Sequence, residues 1–252
     1  MSRLSLSLLV LSLVFASPIR AQVIRSYEGL DRNAVDGWFA QTQLSLDGRA
    51  GNASYLDLGL TGGLSYRVPA PGHWLRFYPS WQVRRSGGQS VVREWSAHFR
   101  HSFVFSDEMR TYAFAQIQAD RSINLDRRVL VGGGLRRQIV PLGGGGLDIG
   151  LGLMLEDETL ASGESTQALR GANLFSARGR AGIVRVLVTG FYQPIMSNLE
   201  DYRLSVDAEV QIPVSERVGF VISGSWRRDS RPPTDIEADD AGFGFSVRLS
   251  TR

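Results

Sequence analysis

Residues 239–252 read DDAGFGFSVRLSTR, and their alternation decides the fold. Phe243, Phe245, Val247 and Leu249 fall on one side of an extended chain, with Gly244, Ser246 and Arg248 on the other. Successive side chains of a strand point to opposite faces. The segment is therefore a strand with one wholly apolar face, and what covers that face is the question the rest of the chain answers.

The same period of two recurs upstream. Trp38, Ala40, Thr42, Leu44 and Leu46 share a face, and Leu56, Leu58, Leu60, Leu64 and Tyr66 oppose Asp57, Gly59, Thr61, Ser65 and Arg67. Leu75, Phe77, Pro79, Trp81 and Val83 alternate with Arg76, Tyr78, Ser80, Gln82 and Arg84. Further sets follow at 94–105, 147–156, 202–212 and 218–229, while the pattern blurs at 111–122 and 127–140. Each apolar face runs for roughly 10 residues, the span a tilted strand needs to cross a bilayer. The opposite faces carry Gly, Ser, Arg and Asp in mid-strand, as a crowded polar lumen requires. Closing the sheet on itself removes the edges that so many strands would otherwise expose. The expected fold is all-β: an antiparallel transmembrane β-barrel of about twelve strands, preceded by a cleaved signal peptide. Ten strands are expected instead if RGRAGIVRVLVTGF at 178–191 contains no turn. In a barrel the terminal apolar face meets lipid, and the last strand pairs with the first.

The leader supports export. MSRLSLSLLVLSLVFASPIRAQ at 1–22 has a positive start at Arg3, an apolar run from Leu4 to Phe15, a helix-breaking Pro18 and a cleavage point after Ala21 or Ala16. This is the pattern of a secretory signal peptide. The domain division is thus a leader at 1–21 and a barrel domain at 22–252. The links give a second line of support. Long polar ones, such as DGRAGNAS at 47–54, DETLASGESTQALRGAN at 157–173 and DSRPPTDIEADD at 229–240, fall at odd positions in the series. Short ones, such as SDEM at 106–109 and PVSE at 213–216, fall at even positions. Short turns inside and long loops outside place both termini in the periplasm.

Composition narrows the function classes. The 252 residues include 28 Lys plus Arg, all of them arginine, against 25 acids, with a net charge of +3 and no cysteine. Without cysteine there is neither a disulfide nor a lipoprotein anchor. No basic patch points to nucleic acid, and no lysine exists to complete a phosphate-binding loop at VGGGL (131–135) or PLGGGG (141–146).

LDRRVLVGGGLRRQ at 125–138 and the stretch from Leu199 to Leu249, with Tyr202-Arg203-Leu204, the PVSER turn, Asp229, Pro232-Pro233 and Asp240, resemble the domain-of-unknown-function family numbered 481. Members of that family are described as salt-induced outer membrane proteins similar to YdiY. The resemblance implies an outer-membrane barrel and no reaction. Its pattern ends in an aromatic residue, where this sequence has Leu249-Ser250-Thr251-Arg252.

The residues that could carry chemistry are few. An outer-membrane hydrolase needs a serine beside a histidine. Ser96 and His98 share a face, with Glu94 and Arg100 alongside, and are expected to form a hydrogen-bonded lumen cluster. Asp235, Glu237 and Asp239 have the alternate spacing of a calcium loop but lack its glycine and its glutamate, so a solvated acidic loop is expected. Glu156 and Glu158 are expected at a hydrated strand end. Lumen-facing Arg76, Arg84, Arg100, Arg178, Arg180, Arg203, Arg227 and Arg248, with Asp57, Glu94, Asp148, Asp207 and Glu209, are expected to form a dense salt-bridge network.

The expected function is a structural or stress-related envelope protein with a charged, largely filled lumen. The alternatives are a narrow porin or channel for small solutes and an outer-membrane lipid hydrolase. No catalytic, metal or cofactor residue is assigned. Expected partners are outer-membrane lipids and lipopolysaccharide, with the barrel assembly machinery during biogenesis. The expected location is the outer membrane of a Gram-negative bacterium.

Overall fold

The computed structural model describes residues 36–49, 55–68, 72–86, 89–106, 108–142, 145–232 and 238–251, so the leader at 1–21 lies outside the described residues. The strands are β1 (Gly37–Arg49), β2 (Tyr55–Val68), β3 (His73–Ser86), β4 (Gln89–Val104), β5 (Met109–Asp120), β6 (Leu125–Leu142) and β7 (Gly145–Leu160). There follow β8 (Ser165–Gly171), β9 (Asn173–Ala181), β10 (Val184–Ile195), β11 (Asn198–Pro213), β12 (Val218–Asp229) and β13 (Asp239–Ser250). Each pairs antiparallel with its neighbours, and β13 pairs with β1. β8 and β9 both lie between β7 and β10, separated at Ala172, and together make one stave. The barrel is therefore closed and twelve-staved. No helix among the described residues is long and apolar enough to cross a membrane.

The seam joins Gln41 to Ser250 through Ser45 to Ser246, and Thr251 N–H donates to Ala40 O at 3.0 Å. By contrast β1 and β2 pair along their whole length, from Gly37↔Arg67 to Arg49↔Tyr55.

The apolar faces point outward. Phe243 is 69% exposed and Leu151 66%, while Asp57, Glu94 and Asp148 on the alternate positions are buried. A band of this kind is stable only against hydrocarbon, which answers the question posed by the last strand. Leu151→Arg is therefore expected to cost about 2–4 kcal/mol if the residue lies near the bilayer midplane. Equilibrium unfolding in lipid vesicles reads this, and an unchanged midpoint would mean that Leu151 does not face lipid.

The two blurred stretches have one cause. In β5 and β6 the lumen positions include Phe114 and Leu130, both buried, while the lipid side carries Ala113, Ala115 and Gly133. Apolar residues inside and small ones outside erase the polar–apolar contrast. Phe114, Leu130, Met154, Ala172, Leu174 and Phe191 form a small apolar core inside the barrel, with Tyr112 packed against it. Gly132 makes room for it, since a Cβ there would lie 2.7 Å from Met154 Cβ and 2.8 Å from Phe114 Cζ.

The links correct the expected loop pattern. Residues 157–173 are not a long loop, because β7 runs to Leu160, a turn occupies 161–164, and β8 continues the ladder from Ser165. β10 runs through Gln193–Ile195, and Met196-Ser197 makes the turn into β11. The missing turn in 178–191 is Gly182-Ile183, where Gly182 takes φ of 59°, a left-handed conformation that favours glycine. The largest gap between strands is 230–238.

Candidate functional site

The lumen is the only interior of a barrel, and its two halves are built differently. One end, the terminal rim, carries the start of β1 and the end of β13; the far rim carries the turns at 121–124, 161–164 and 196–197. The strand alternation that sends leucines to lipid sends every second residue inward, so charge placed on alternate positions meets in the lumen.

Near the far rim the hub is Arg203 of β11. Its Nη1 donates to Glu156 Oε2 at 2.5 Å, its Nη2 to Glu158 Oε2 at 3.0 Å and its Nε to Asp229 Oδ2 at 2.9 Å. Glu156 also accepts from Arg170 Nε at 2.9 Å, and Glu158 pairs with Arg128 Nη2 at 2.5 Å. Arg170 reaches Asp201 at 3.2 Å. Glu156 lies on β7 and Arg203 on β11, with the β8/β9 stave and β10 between them, so the network bridges non-adjacent staves. Glu156 and Glu158 are 3% and 7% exposed. They are thus buried ion-pair partners, a correction to the expected hydrated strand end. The strand continues where a loop had been expected, and this carries both carboxylates inward.

Toward the terminal rim the balance is basic. Asp148 accepts from Arg178 Nη2 at 2.6 Å and Arg136 Nη2 at 3.2 Å, and Arg110 Nη2 lies 3.7 Å away. Arg76 donates to Ser102 Oγ at 2.5 Å and stacks on the Trp74 ring at 4.0 Å. Elsewhere in the lumen, members of the expected network pair as Arg84–Asp57, Arg227–Asp207 and Arg248–Glu209, at 2.6, 3.3 and 3.1 Å. Arg180, in contrast, donates to Gly182 O at 2.8 Å at the exposed turn. Sequence reading missed Arg110, Arg128, Arg136 and Arg170. Arg110, Arg128 and Arg136 sit in or beside the blurred stretches, where the inward face could not be told from the outward one, and Arg170 sits in 157–173, read as a loop.

Along β11–β13 and β1–β3 the interior is looser. A polar cavity of about 210 Å³ is lined by residues that include Ser45, Thr61, Ser80, Glu94, Ser223 and Ser246. A second, of about 300 Å³, lies among residues that include Gln41, Arg185, Gln211 and Arg217. At the level between them Arg248 Nη2 donates to Gln43 Oε1 at 2.6 Å and to Glu209 at 3.1 Å.

Ser96 and His98 are both buried in the lumen. The Ser96 and Ser80 hydroxyls are 2.7 Å apart, and His98 Nδ1 donates to Gln116 Oε1 at 2.8 Å. His73 and His101 lie on the outward face near the terminal rim, with ring nitrogens 3.0 Å apart. Asp235 and Glu237 fall outside the described residues, and Asp239 pairs with Arg228 at 2.7 Å. Among the described residues no group of three or more His, Cys, Asp or Glu is placed to hold a metal ion.

A closed twelve-stave antiparallel barrel with an outward apolar band and a charged interior is the architecture of outer-membrane barrels. Residues 42–250 match the model of the family described as "Protein of unknown function, DUF481", and the chain belongs to that family. No curated protein matches it. Among solved structures it is similar to the NanC porin, at 8% identity and a TM-score of 0.51, over 84% of this chain and 99% of that one. The KdgM porin aligns at 10% identity and 0.47 over 85% and 99%, and the translocator domain of the autotransporter NalP from Neisseria meningitidis at 13% and 0.46 over 89% and 91%. At such identity the NanC likeness concerns the fold.

Proposed function

We propose that the protein is a structural or stress-related component of the outer membrane whose barrel seals more than it conducts. The observation that carries this reading is the filled side of the lumen, where the Arg203 network crosses between non-adjacent staves and the Phe114–Met154 core packs beside it. The terminal rim faces the periplasm, and lipid and lipopolysaccharide surround the apolar band. Assembly passes through the barrel assembly machinery. A lipid hydrolase is not part of the reading, because Ser96 and His98 lie inside the lumen, away from lipid.

A narrow polar path is the second reading, favoured by the two cavities on the opposite wall. Purified protein in planar bilayers separates the two. Silence or a small, intermittent conductance is expected. A large, stable ohmic conductance would replace the sealing role with that of a porin.

A further inference from the structure

We propose that His73 and His101 form an open two-nitrogen site for a divalent transition metal of the zinc and copper class, on the outer wall near the terminal rim. The sequence holds three histidines. His98 is fully buried in the lumen, and the other two meet on the outward face. His73 is the first residue of β3 and His101 lies on β4, where the register sets His73 opposite Phe103 and His101 opposite Leu75. The two histidines are thus diagonal neighbours on one face, within reach of each other's side chains. His73 Nδ1 and His101 Nε2 lie 3.0 Å apart, with ring centroids 5.2 Å apart and ring planes 20° apart. Nearly coplanar rings at that centroid separation aim these nitrogens at one another. The level on the wall also matters. Cross-strand pairs run Trp38↔Tyr66, Tyr66↔Leu75 and Leu75↔His101, so His101 shares a row with a tryptophan and a tyrosine. Trp and Tyr collect where a bilayer meets water, and an imidazole in that row is within reach of ions from the aqueous side.

The donor set selects the ion. On the adjoining strands the residues opposite the pair are Val68 and Ala113, so magnesium or calcium finds no oxygen cage there. Imidazole nitrogen suits zinc, nickel and copper. Two nitrogens on a tetrahedral zinc, each about 2.0–2.1 Å from it, are about 3.3 Å apart, close to the 3.0 Å already in place. Each ring must turn by about 35° to aim its lone pair at the ion rather than at the partner nitrogen, and that torsion is broad in histidine. Both rings are half-buried, which leaves them room to turn. The proton now shared between the rings must leave the gap. The donor ring carries it on its other nitrogen instead, so that both facing nitrogens are unprotonated, as ligation requires. Water completes the coordination, since a zinc site with protein ligands in only some positions keeps the others open.

The test uses the full barrel in detergent, with zinc, copper(II) and magnesium chlorides as probes in a buffer free of chelators. Equilibrium dialysis is expected to find one zinc per wild-type barrel, and excess magnesium should not displace it. His73→Gln and His101→Gln should each bind at least about tenfold more weakly, since even a change behind the ligands costs about 10–100-fold. Copper(II) on the wild type should show spin-echo modulation from two imidazoles, falling to one in either variant. The wild-type spectrum decides by itself where a variant does not give the compact band on unboiled gels. A wild type that binds no zinc, a copper spectrum without two imidazoles, or full displacement by magnesium would overturn the site. Equal zinc binding in wild type and both variants would also overturn it and place the ion on carboxylates. Because the readout is metal binding rather than conductance, its failure leaves the sealing role untouched, and a conducting wild type leaves the site untouched.

Discussion

Arg203→Met is expected to destabilise the barrel by about 3–5 kcal/mol, the cost of removing one partner from a buried ion pair. Arg203 is the point at which Glu156, Glu158 and Asp229 meet. Methionine fills much of the same volume and supplies no charge, so Glu156 and Glu158 are left to Arg128 and Arg170, and Asp229 keeps the Arg231 backbone N–H. The loss is one of compensation rather than of packing, and a second substitution shows this. Adding Glu156→Gln to Arg203→Met should return part of the stability, since the two residues share one network and do not act additively. Arg127→Gln provides the control. Its pair with Asp157 is 3.1 Å long but about half exposed, and such pairs are worth about 0.2–1 kcal/mol. Equilibrium urea unfolding in micelles measures all three. Equal effects of Arg203→Met and Arg127→Gln would show that the hub carries no special weight.

Gly134→Val is expected to be the most damaging single substitution on the lumen side, at more than about 3 kcal/mol or with outright failure to fold, beyond the usual overpacking cost. A Cβ at Gly134 would overlap Leu151 O and come within 2.6 Å of Gly152 Cα. Both are backbone atoms of the neighbouring strand, so neither can swing aside as a side chain would. The contrast is Gly179→Ala, where a Cβ meets nothing within 4 Å and near-wild-type stability is expected. The fraction of protein recovered in the heat-modifiable form reads both. A normally folded Gly134→Val barrel would mean that β6 and β7 can move apart without cost.

Where the barrel is polar inside and apolar outside, its strands were legible residue by residue. β11 shows this best: Arg203, Asp207 and Glu209 lie inward and Leu204, Val206 and Val210 outward, as the alternation requires. Where the barrel carries its own core, legibility fails. In β10 Leu187 and Phe191 face inward while Gly190 faces lipid, and period two becomes a run of apolar residues with no side assigned. The ion pairs were legible only by type. Asp57 with Arg84 joins adjacent strands, and a sequence can suggest such a partner. Glu156 with Arg203 joins strands that become near only once the sheet has curled, so its partner depends on barrel diameter and tilt rather than on spacing. The acids at 156 and 158 were further hidden by the polar residues after them, which read as loop although they extend the ladder to Leu160 and Ser165.

The seam has a consequence for the order of events in folding. Each hairpin from β1 to β13 joins neighbours in sequence, so most of the ladder can zip locally and quickly. The β1–β13 pairing spans 211 residues, the separation between Ala40 and Thr251. Bringing such distant ends together costs about 5 kcal/mol of chain entropy from the logarithmic length dependence alone. Along the described residues that cost is met by the short ladder from Gln41↔Ser250 to Ser45↔Ser246. Closure is therefore the last step, taken only after the other staves have fixed the curvature that brings the ends together. Under mechanical load applied to the termini, the same seam is the first line along which the cylinder tears open into a sheet.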